Sequence, residues 1–529
     1  MKVFSKDRCK SVSVSSAFLL CAMLAHPVQA KQPFLMSYFA NYAGYSNANY
    51  VSKETSSAGR VIPSASYTIP GVKFGYPVMD NNNPVVAQQS TNNTDLQDKV
   101  NGLSALAYAF MLPTEDGAVV FNDPWSDLSQ QDVSSGGFLA DGSEGEKLGM
   151  RNFTVSGSHT IYDYVHYGVF DAFLKLNNSA GNLQHYIAIG GWTYRDAIMD
   201  RLVSSAQNKQ NFLDSLKVLK AQGVEGVDLD IEFSNVPKDW KNSLLIKSLA
   251  NDQLVQQIKA LGLNLAVTLQ ATPSMLGDAT FIKDLQSMFS QGLDHLSLMT
   301  YDLHGAFDAG GTAYTGFNSS LFPAPTGMTN PFAGTSSNFS VDAAVEALTQ
   351  GGLTKDQLAK VNIGLPAYSR ASISNIQQGK DNQGHDAGGL FQPFSPSSQV
   401  LPGDMDTTSC TIGSAPFNVA TSTCGGMFSY NYLLKDVFTS GFTTKDWTYK
   451  DPASGKTYYI GSTAYSQNSW SPVTSTLKWA EDSSPALKSR VTNYPTQGNI
   501  FLAYLSGKDA KSYGEYAKDK GSGEPSSGW

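Results

Sequence analysis

Three carboxylic side chains recur at every second position of one short segment. Asp228, Asp230 and Glu232 are separated by Leu229 and Ile231. Because side chains alternate between the two faces of a strand, the three carboxyl groups should share one face, with Cα atoms about 6.6 Å apart along it. If that face is buried, ionising all three groups is costly and the pKa of at least one should rise. The segment therefore predicts a protonated acid beside ionised partners, as general-acid catalysis requires.

The same carboxylates could line the solvated face of an antiparallel strand, an alternative that composition alone favours. A strand in a closed barrel has no solvated face, so the choice depends on the fold. An ordinary retaining glycosidase takes its two carboxylates from separate elements. A cluster on one strand fits the substrate-assisted exception instead, in which the sugar's 2-acetamido oxygen attacks the anomeric carbon. One enzyme acid then protonates the leaving oxygen, and a neighbouring carboxylate stabilises the cyclised acetamido group.

Apolar runs alternate with amphipathic stretches through much of the chain, and this alternation predicts the fold that must position the acids. The predicted strands are 34–42, 103–112, 184–192, 223–233, 263–270, 294–302 and 361–369. Helix candidates include 210–222, 241–261 and 341–350. Strands that are apolar throughout are typical of parallel sheets. We therefore expect an α/β fold, a (β/α)8 TIM barrel first and a doubly wound sheet second, because no glycine-rich phosphate turn follows the first strand.

Residues 371–500 interrupt this rhythm and are rich in Gly, Ser, Thr, Pro and aromatic residues. We predict an α+β insertion there, after the seventh strand, that walls one side of the active face. The catalytic barrel would then comprise 31–370 and 501–529. A helix candidate at 509–519 precedes a polar stretch, 521–529, that should supply the eighth strand.

Composition limits the classes of ligand that the chain could bind. It has 37 basic and 45 acidic residues, a formal net charge of −8 and only 16% charged residues. No basic stripe is present to displace counterions, so we expect no nucleic-acid partner. The 7 histidines are scattered, and we expect neither a metal nor another cofactor. A surface rich in neutral hydrogen-bonding groups suits neutral ligands. We also expect the protein to be a monomer.

The N-terminus has the pattern of an export signal. Basic residues from Lys2 to Lys10 precede an apolar run, 13–25, that is too short to span a bilayer. Small residues near Ala30 then offer a cleavage site. This predicts a signal peptide over 1–30 and a secreted protein, extracellular or periplasmic. No later stretch is apolar enough for a membrane helix, so we expect no membrane partner.

Two cysteines, Cys410 and Cys424, follow the predicted signal peptide. In an exported protein a pair at this spacing favours a disulfide that closes a short loop. A zinc site would need two more ligands, and no histidine lies close in sequence. Two free buried thiols are the remaining alternative.

The acidic segment resembles the D-G-x-D-x-D-x-E signature of family 18 glycoside hydrolases, the chitinases, with Glu225 in place of the first Asp. Other segments resemble motifs of bacterial chitinase A-type enzymes, in the same order along the chain. These segments are Ser37–Tyr42, Ala107–Phe110, Ala188–Thr193, Leu298–Asp302, Gly305–Asp308 and Gly364–Arg370. Ala188 stands where the family has a Ser that supports the Asp pair. The resemblance covers residues 34 to about 520.

The resemblance implies a role for each matching residue. Glu232 would be the acid/base, Asp230 would orient and stabilise the acetamido group, and Asp228 would share a proton with Asp230. Tyr301 would donate a hydrogen bond to the acetamido oxygen. The substrate subsites would be lined by Met299, Asp302, Tyr368 and Arg370, and by the aromatic residues Tyr108, Phe110 and Trp192. Core packing is the alternative role for one of Tyr108 and Phe110, and packing behind the site is the alternative for Trp192.

Family members also carry a Trp on the eighth strand as the floor of the cleavage site. Trp529 falls one position late for this role and follows a segment unlike a strand. Either Trp529 is the floor within an irregular strand, or the barrel closes differently.

The implied activity is hydrolysis of β-1,4-linked N-acetylglucosamine polymers, with chitin and chitooligosaccharides as partners. One alternative is an endo-β-N-acetylglucosaminidase acting on glycoprotein glycans, although an insertion beside the cleft favours a linear polymer. The other is a non-catalytic chitin-binding lectin or toxin-complex subunit on the same barrel. Such lectins typically lack the acid, whereas this chain keeps Glu232, Asp230 and Tyr301.

Overall fold

The computed structural model describes the parts of the chain that carry the barrel and its loops. The described residues are 34–40, 53–55, 61–63, 67–69, 72–74, 78–80, 83–85, 100–121, 169–234, 239–307, 313–323, 339–374, 384, 389–395, 400, 425–430, 433, 442–443, 447–450, 457–460, 476–480, 499–505, 507–521 and 526–528. The predicted signal peptide, Cys410, Cys424 and Trp529 lie outside these ranges, and the predictions made for them stay predictions.

Eight parallel strands form the central sheet, each hydrogen-bonded to the strand that follows it in chain order. They are β1 (Met36–Ala40), β2 (Ala105–Pro113), β3 (Gln184–Gly190), β4 (Gly226–Ile231), β5 (Asn264–Gln270), β6 (His295–Met299), β7 (Val361–Pro366) and β8 (Ser526–Gly528). The short strand β8 pairs with β7 and contacts β1, so the sheet curls back on itself. This order confirms the predicted (β/α)8 barrel.

Helices occupy the connections between the strands. The described helices are Val169–Leu174, Ala197–Asp200, Ala206–Ala221, Leu244–Asn251, Leu254–Ala260, Pro273–Leu276, Ala279–Gln291, Val341–Gly351, Lys355–Leu358 and Gly507–Lys520, with 3-10 turns at Trp192–Tyr194, Arg201–Val203 and Asp239–Lys241. The single helix predicted over 241–261 is wrong. The chain forms two helices there because Gln253 adopts the left-handed conformation, with φ 58°, which ends one helical run and starts another.

The two faces of the barrel sheet are filled differently. Outward side chains such as Val227, Leu229 and Val267 pack with the helices in one large buried cluster. The inward face carries a smaller cluster made mainly of alanines, together with Met36 and Tyr186. Small inward residues leave room for polar side chains inside the barrel, which is where the acids of β4 project.

A second sheet is built from the chain between β7 and β8. It is antiparallel, and its five strands, in spatial order, are Phe428–Ser429, Tyr368–Ser374, Asn499–Tyr504, Thr476–Ala480 and Phe442–Thr443. The strand predicted over 361–369 is therefore two strands, because β7 ends at Pro366 and the chain enters this second sheet at Tyr368. The sheet runs from Tyr368 to Tyr504, a few residues beyond each predicted limit of the insertion.

Short antiparallel pairs complete the described secondary structure. Three hairpins lie between β1 and β2, and two-stranded pairs join Ala313–Tyr314 to Pro393–Phe394 and Trp447–Lys450 to Thr457–Ile460. Val119–Phe121 pairs with the end of β2. Across the described ranges, no helix has both the length and the apolar character needed to cross a bilayer.

Candidate active site

The acidic strand points its carboxyl groups into the barrel. In the register of the sheet, Asp228 lies level with Ala188 on β3 and Ala266 on β5, and Asp230 lies level with Gly190 and Thr268. The flanking residues are small or hydroxylic, so the carboxyl groups have room on the inward face. Asp228 is fully buried, and Asp230 is 5% exposed. The solvated-face alternative for this strand is therefore excluded.

Asp228 is held by two hydroxyl groups, one from β1 and one from the neighbouring strand β5. The Tyr38 hydroxyl donates to its Oδ2 at 2.6 Å, and Thr268 Oγ1 donates to its Oδ1 at 2.7 Å. Burial raises the pKa of Asp228 to about 6, although both hydrogen bonds act to lower it. The group is thus poised between its two protonation states near neutral pH.

Asp230 lacks this support. Burial, together with the nearby charges of Glu232 and Asp228, raises the pKa of Asp230 well above its ordinary value. Its Oδ1 atom is buried and has no hydrogen-bond partner among the described residues. An unpartnered buried carboxylate oxygen is costly, so a ligand that donates a hydrogen bond there would be stabilised.

Glu232 follows β4 at the mouth of the barrel and is only partly buried. Burial raises the pKa of Glu232 to about 7, with further upward contributions from Asp302 and Asp196 and an opposing one from Arg195. A carboxyl group with a pKa near neutrality can donate a proton at the working pH, as a general acid must. The raised pKa makes Glu232 the candidate for the protonated acid that the spacing of the three carboxylates predicts, and that role stays a prediction.

Tyr301 follows β6 and faces the same carboxyl groups. Burial raises its pKa well above the ordinary value, and the charges of Asp230 and Glu232 raise it further. The hydroxyl therefore remains protonated and can donate a hydrogen bond. Its ring packs edge to face with Tyr368, with centroids 6.2 Å apart.

Asp302 and Arg370 form a paired group beside the acids. Arg370 Nε donates to Asp302 Oδ1 at 2.8 Å, and its Nη2 atom lies 2.7 Å from Oδ2. Asp302 has φ 55°, and its backbone N–H donates to Asn318 Oδ1 at 3.0 Å. Asn318, which is fully buried, also donates to the Tyr368 carbonyl. One buried amide thus fixes residues from the barrel and from the second sheet.

The predicted aromatic residues take different places. Phe110 packs against the inward cluster, and a side chain at Gly191 would meet its ring. Tyr108 is fully buried in the outward cluster, with its ring 5.1 Å from that of Phe170. Since Tyr108 lies on the helix side of the sheet, its role is packing, and the predicted substrate role for Tyr108 is corrected. Trp192 is 56% exposed.

Two other positions that the sequence singled out, Met299 and Glu225, lie at the ends of barrel strands. Met299 ends β6 and is half-buried. Glu225, at the other end of β4, accepts a hydrogen bond from the backbone of His185 at 3.0 Å. Within the described ranges, no three His, Cys, Asp or Glu side chains are arranged so that they could hold a metal ion.

Sequence reasoning missed several residues that complete the site. Tyr38 and Thr268 both sit at inward positions of predicted strands, and a polar residue at such a position is a signal that could have identified them. Asn318 lies in a connection, and no sequence pattern marks it. Arg195 and Asp196 follow Trp192 in a loop, and only the structure brings them near Glu232.

A (β/α)8 barrel with a cluster of carboxyl groups and a tyrosine at the C-terminal ends of its strands has the architecture of a TIM-barrel protein with a candidate acid–base site. The sequence model of "Glycosyl hydrolases family 18" matches residues 85–523. The chain belongs to this family.

Individual relatives agree with this assignment. Chitotriosidase-1 of Mus musculus is 31% identical over 207 residues, which are 37% of this chain and 40% of that protein. Chitinase 1 of Aphanocladium album is 25% identical over 226 residues, which are 42% of this chain and 49% of that protein. The chain thus spans less than half the length of these curated relatives. The structure of chitinase ChiA74 from Bacillus thuringiensis shares the fold, with a TM-score of 0.52 at 17% identity, over 94% of this chain and 65% of that chain.

Proposed function

We propose that the chain is a chitinase that hydrolyses β-1,4-linked N-acetylglucosamine polymers with retention of the anomeric configuration. The observation that carries the proposal is the pairing of unlike carboxyl groups at the end of β4. Glu232 has a pKa near 7, and Asp230 beside it has a buried oxygen without a hydrogen-bond partner among the described residues. The related chitinases support the choice of substrate.

In the proposed mechanism, the protonated Glu232 carboxyl donates its proton to the glycosidic oxygen as the bond to the anomeric carbon breaks. The substrate's own acetamido oxygen attacks that carbon from the other side. The buried oxygen of Asp230 accepts a hydrogen bond from the acetamido N–H, and the Tyr301 hydroxyl donates one to the acetamido oxygen. Asp228 and Asp230 share one proton between them as charge develops on the cyclised group. Glu232, now ionised, removes a proton from a water molecule. That water attacks the anomeric carbon and opens the ring formed with the acetamido group.

Two further statements belong to this proposal. The pattern over residues 1–30 supports export of the protein from the cell. The second sheet, which brings Arg370 to Asp302 beside the acids, supports binding of a linear chain of sugars rather than a single residue.

The first test is the Glu232→Gln variant, which keeps the size of the side chain and loses its proton. We expect normal folding and a loss of turnover on chitohexaose of about 10²–10⁴-fold. Near-wild-type turnover would show that another group is the acid.

The second test addresses the mechanism. Because attack by the acetamido group followed by water inverts the anomeric carbon twice, NMR of the first-formed product should show the β anomer. Cellohexaose lacks the acetamido group and should not be cleaved. A first-formed α anomer, or cleavage of cellohexaose at a comparable rate, would contradict the proposed mechanism.

A further inference from the structure

Arg195 joins the loop after β3 to the residues after Glu232. Its Nε atom donates to Ser234 Oγ at 2.6 Å, and its Nη1 atom donates to the Trp192 carbonyl oxygen at 2.7 Å. Its guanidinium carbon also lies 4.1 Å from the centroid of the Trp192 ring. One side chain therefore sets the position of the Trp192 ring relative to the segment that carries the acid.

Asp196 makes a second connection between the same two segments. Its backbone N–H donates to the Glu232 carbonyl oxygen at 3.1 Å. Its carboxylate accepts hydrogen bonds from the backbone N–H of Ser234 at 2.9 Å and from the Ser234 hydroxyl. Asp196 has φ 55°, a conformation that residues other than glycine rarely adopt. These hydrogen bonds hold the loop in that conformation, so the loop after β3 and Glu232 are placed together.

The Trp192 ring needs such support because it is a large apolar group at the surface. It is 56% exposed, and the Arg195 guanidinium covers one of its faces. A planar guanidinium stacks on an indole ring and donates its hydrogen bonds in a fixed plane. The ammonium group of lysine, on its flexible side chain, does neither. The exposed part of the ring offers an apolar surface on which a sugar ring could stack.

We infer that Arg195 is a positioning residue that holds Trp192 as a stacking surface for the substrate and links its placement to Glu232. The inference rests on the proposed function, since it assigns Trp192 to substrate binding. It goes further by giving a role to a residue that no motif of the sequence marks.

The charge of Arg195 gives the inference a second measurable consequence. Arg195 lowers the pKa of Glu232 against the effects of burial, Asp302 and Asp196. Among the described residues, the charged or titratable groups that act on Glu232 or respond to it are Asp230, Arg195, Asp196, Tyr301 and Asp302. Removing the one cation from this set should raise the pKa of the acid.

The experiment compares Arg195→Lys with Arg195→Met on chitohexaose. Lysine keeps the charge and loses the stacked plane, so we expect KM to rise about three- to fivefold with kcat little changed. Methionine loses both, so we expect the same rise in KM and an upward move of the alkaline limb of the kcat/KM profile by about half a pH unit. Arg201→Met is the matched control, since Arg201 pairs with Glu115 at the surface, and neither readout should change.

A double-mutant cycle tests whether Arg195 acts through Trp192. Trp192→Ala alone should raise KM, and adding Arg195→Lys should raise it little further, because groups that act as a unit are not additive. Additive effects, or an unchanged KM in both Arg195 variants, would overturn the inference while leaving the proposed function standing. An unmoved alkaline limb in Arg195→Met would overturn the link to Glu232.

A wild-type protein that neither hydrolyses nor binds chitohexaose would instead overturn the proposed function itself. Thermal unfolding of each variant, followed by circular dichroism, checks that the compared proteins are equally folded.

Discussion

At the scale of single residues, Asp228 depends on hydroxyl groups brought from distant parts of the chain. Ala188 lies level with Asp228 on the neighbouring strand and offers no hydroxyl. Tyr38 and Thr268 supply two hydroxyl groups instead, from β1 and β5. The carboxyl group is thereby supported from both sides without a polar residue on β3.

Thr268→Val should reveal what this support contributes. Loss of the hydroxyl removes a hydrogen bond that favours the ionised form, so the pKa of Asp228 should rise above its present value of about 6. We expect the acidic limb of the kcat/KM profile to move to higher pH, since the Asp228–Asp230 pair must carry a negative charge to work. Thr268→Ser keeps the hydroxyl and should behave as wild type, and an equal shift in both variants would contradict the assignment.

Glu232→Gln should also change stability, and in a pH-dependent way. Burial raises the pKa of Glu232 in the folded protein to about 7. The contribution of this carboxyl group to the free energy of unfolding is therefore fully present below its pKa in the unfolded chain. It is lost as the pH rises through its pKa in the folded protein. Above pH 7 the folded protein must hold this carboxylate ionised near other carboxylates. We therefore expect the Tm of Glu232→Gln to exceed that of wild type at pH 8 and to match it more closely at pH 4. Tm values measured across this range should diverge as pH rises; a constant difference would contradict the raised pKa.

Sequence alone could identify the acids because alternation along one strand is a local property. The cluster of Asp228, Asp230 and Glu232 needs only the period of the strand and a buried face. The supporting residues could not be identified in the same way, because the register between strands decides which side chains meet. Thr268 is forty residues from Asp228 along the chain, and only the pairing of β4 with β5 brings them together.

At the scale of secondary-structure elements, the end of β3 depends on the absence of a side chain. Gly190 has φ +117°, and a Cβ there would lie 2.2 Å from the Asp230 carbonyl oxygen. The close approach lets the next residue, Gly191, donate its backbone N–H to the same carbonyl at 3.2 Å. The strand that carries the acids is thus fixed against β3 at the level of Asp230.

Gly190→Ala should lower the free energy of unfolding by about 2–4 kcal/mol, because the new methyl group meets backbone and the conformation is unfavourable. The matched control is Gly514→Ala in the helix Gly507–Lys520, where an added Cβ meets nothing within 4 Å. This control should stabilise the protein by about 0.5–1 kcal/mol, since alanine favours a helix. Denaturant unfolding measures both changes, and similar values for the two variants would show that the contact at Gly190 is relieved elsewhere.

The elements were predictable to the extent that their signals are local. The seven predicted runs each overlap a barrel strand, because buried parallel strands are mostly apolar. The break at Gln253 and the division of 361–369 at Pro366 were not predicted. Both depend on how the chain turns to reach its neighbours rather than on the pattern of apolar residues.

At the scale of the whole molecule, the second sheet supplies part of the site. Tyr368 and Arg370 lie at the start of its strand Tyr368–Ser374, and Arg370 pairs with Asp302 of the barrel. Arg370 Nη1 also donates to the Gly425 carbonyl oxygen at 3.1 Å. Gly425 directly follows Cys424 in sequence. The predicted disulfide would therefore restrict the position of Gly425 and so support its hydrogen bond with Arg370.

Reduction of the predicted Cys410–Cys424 bridge should therefore weaken binding of long substrates. A disulfide that closes a loop of this length stabilises the folded state by about 3 kcal/mol in the chain-entropy model. Loss of the disulfide would release Gly425 from Arg370 without disturbing the barrel core around Glu232. We expect a higher KM for chitohexaose after reduction and a smaller change for a short chromogenic disaccharide.

A free-thiol assay on the denatured, unreduced protein after removal of residues 1–30 tests the bridge directly. Cys424→Ser, which removes the bridge without a reductant, should reproduce the rise in KM and provides a control for effects of the reductant elsewhere. Two titratable thiols in the unreduced protein would show that no bridge exists. The position of Gly425 would then have to be held by the packing of the second sheet alone, and reduction should leave both substrates equally well hydrolysed.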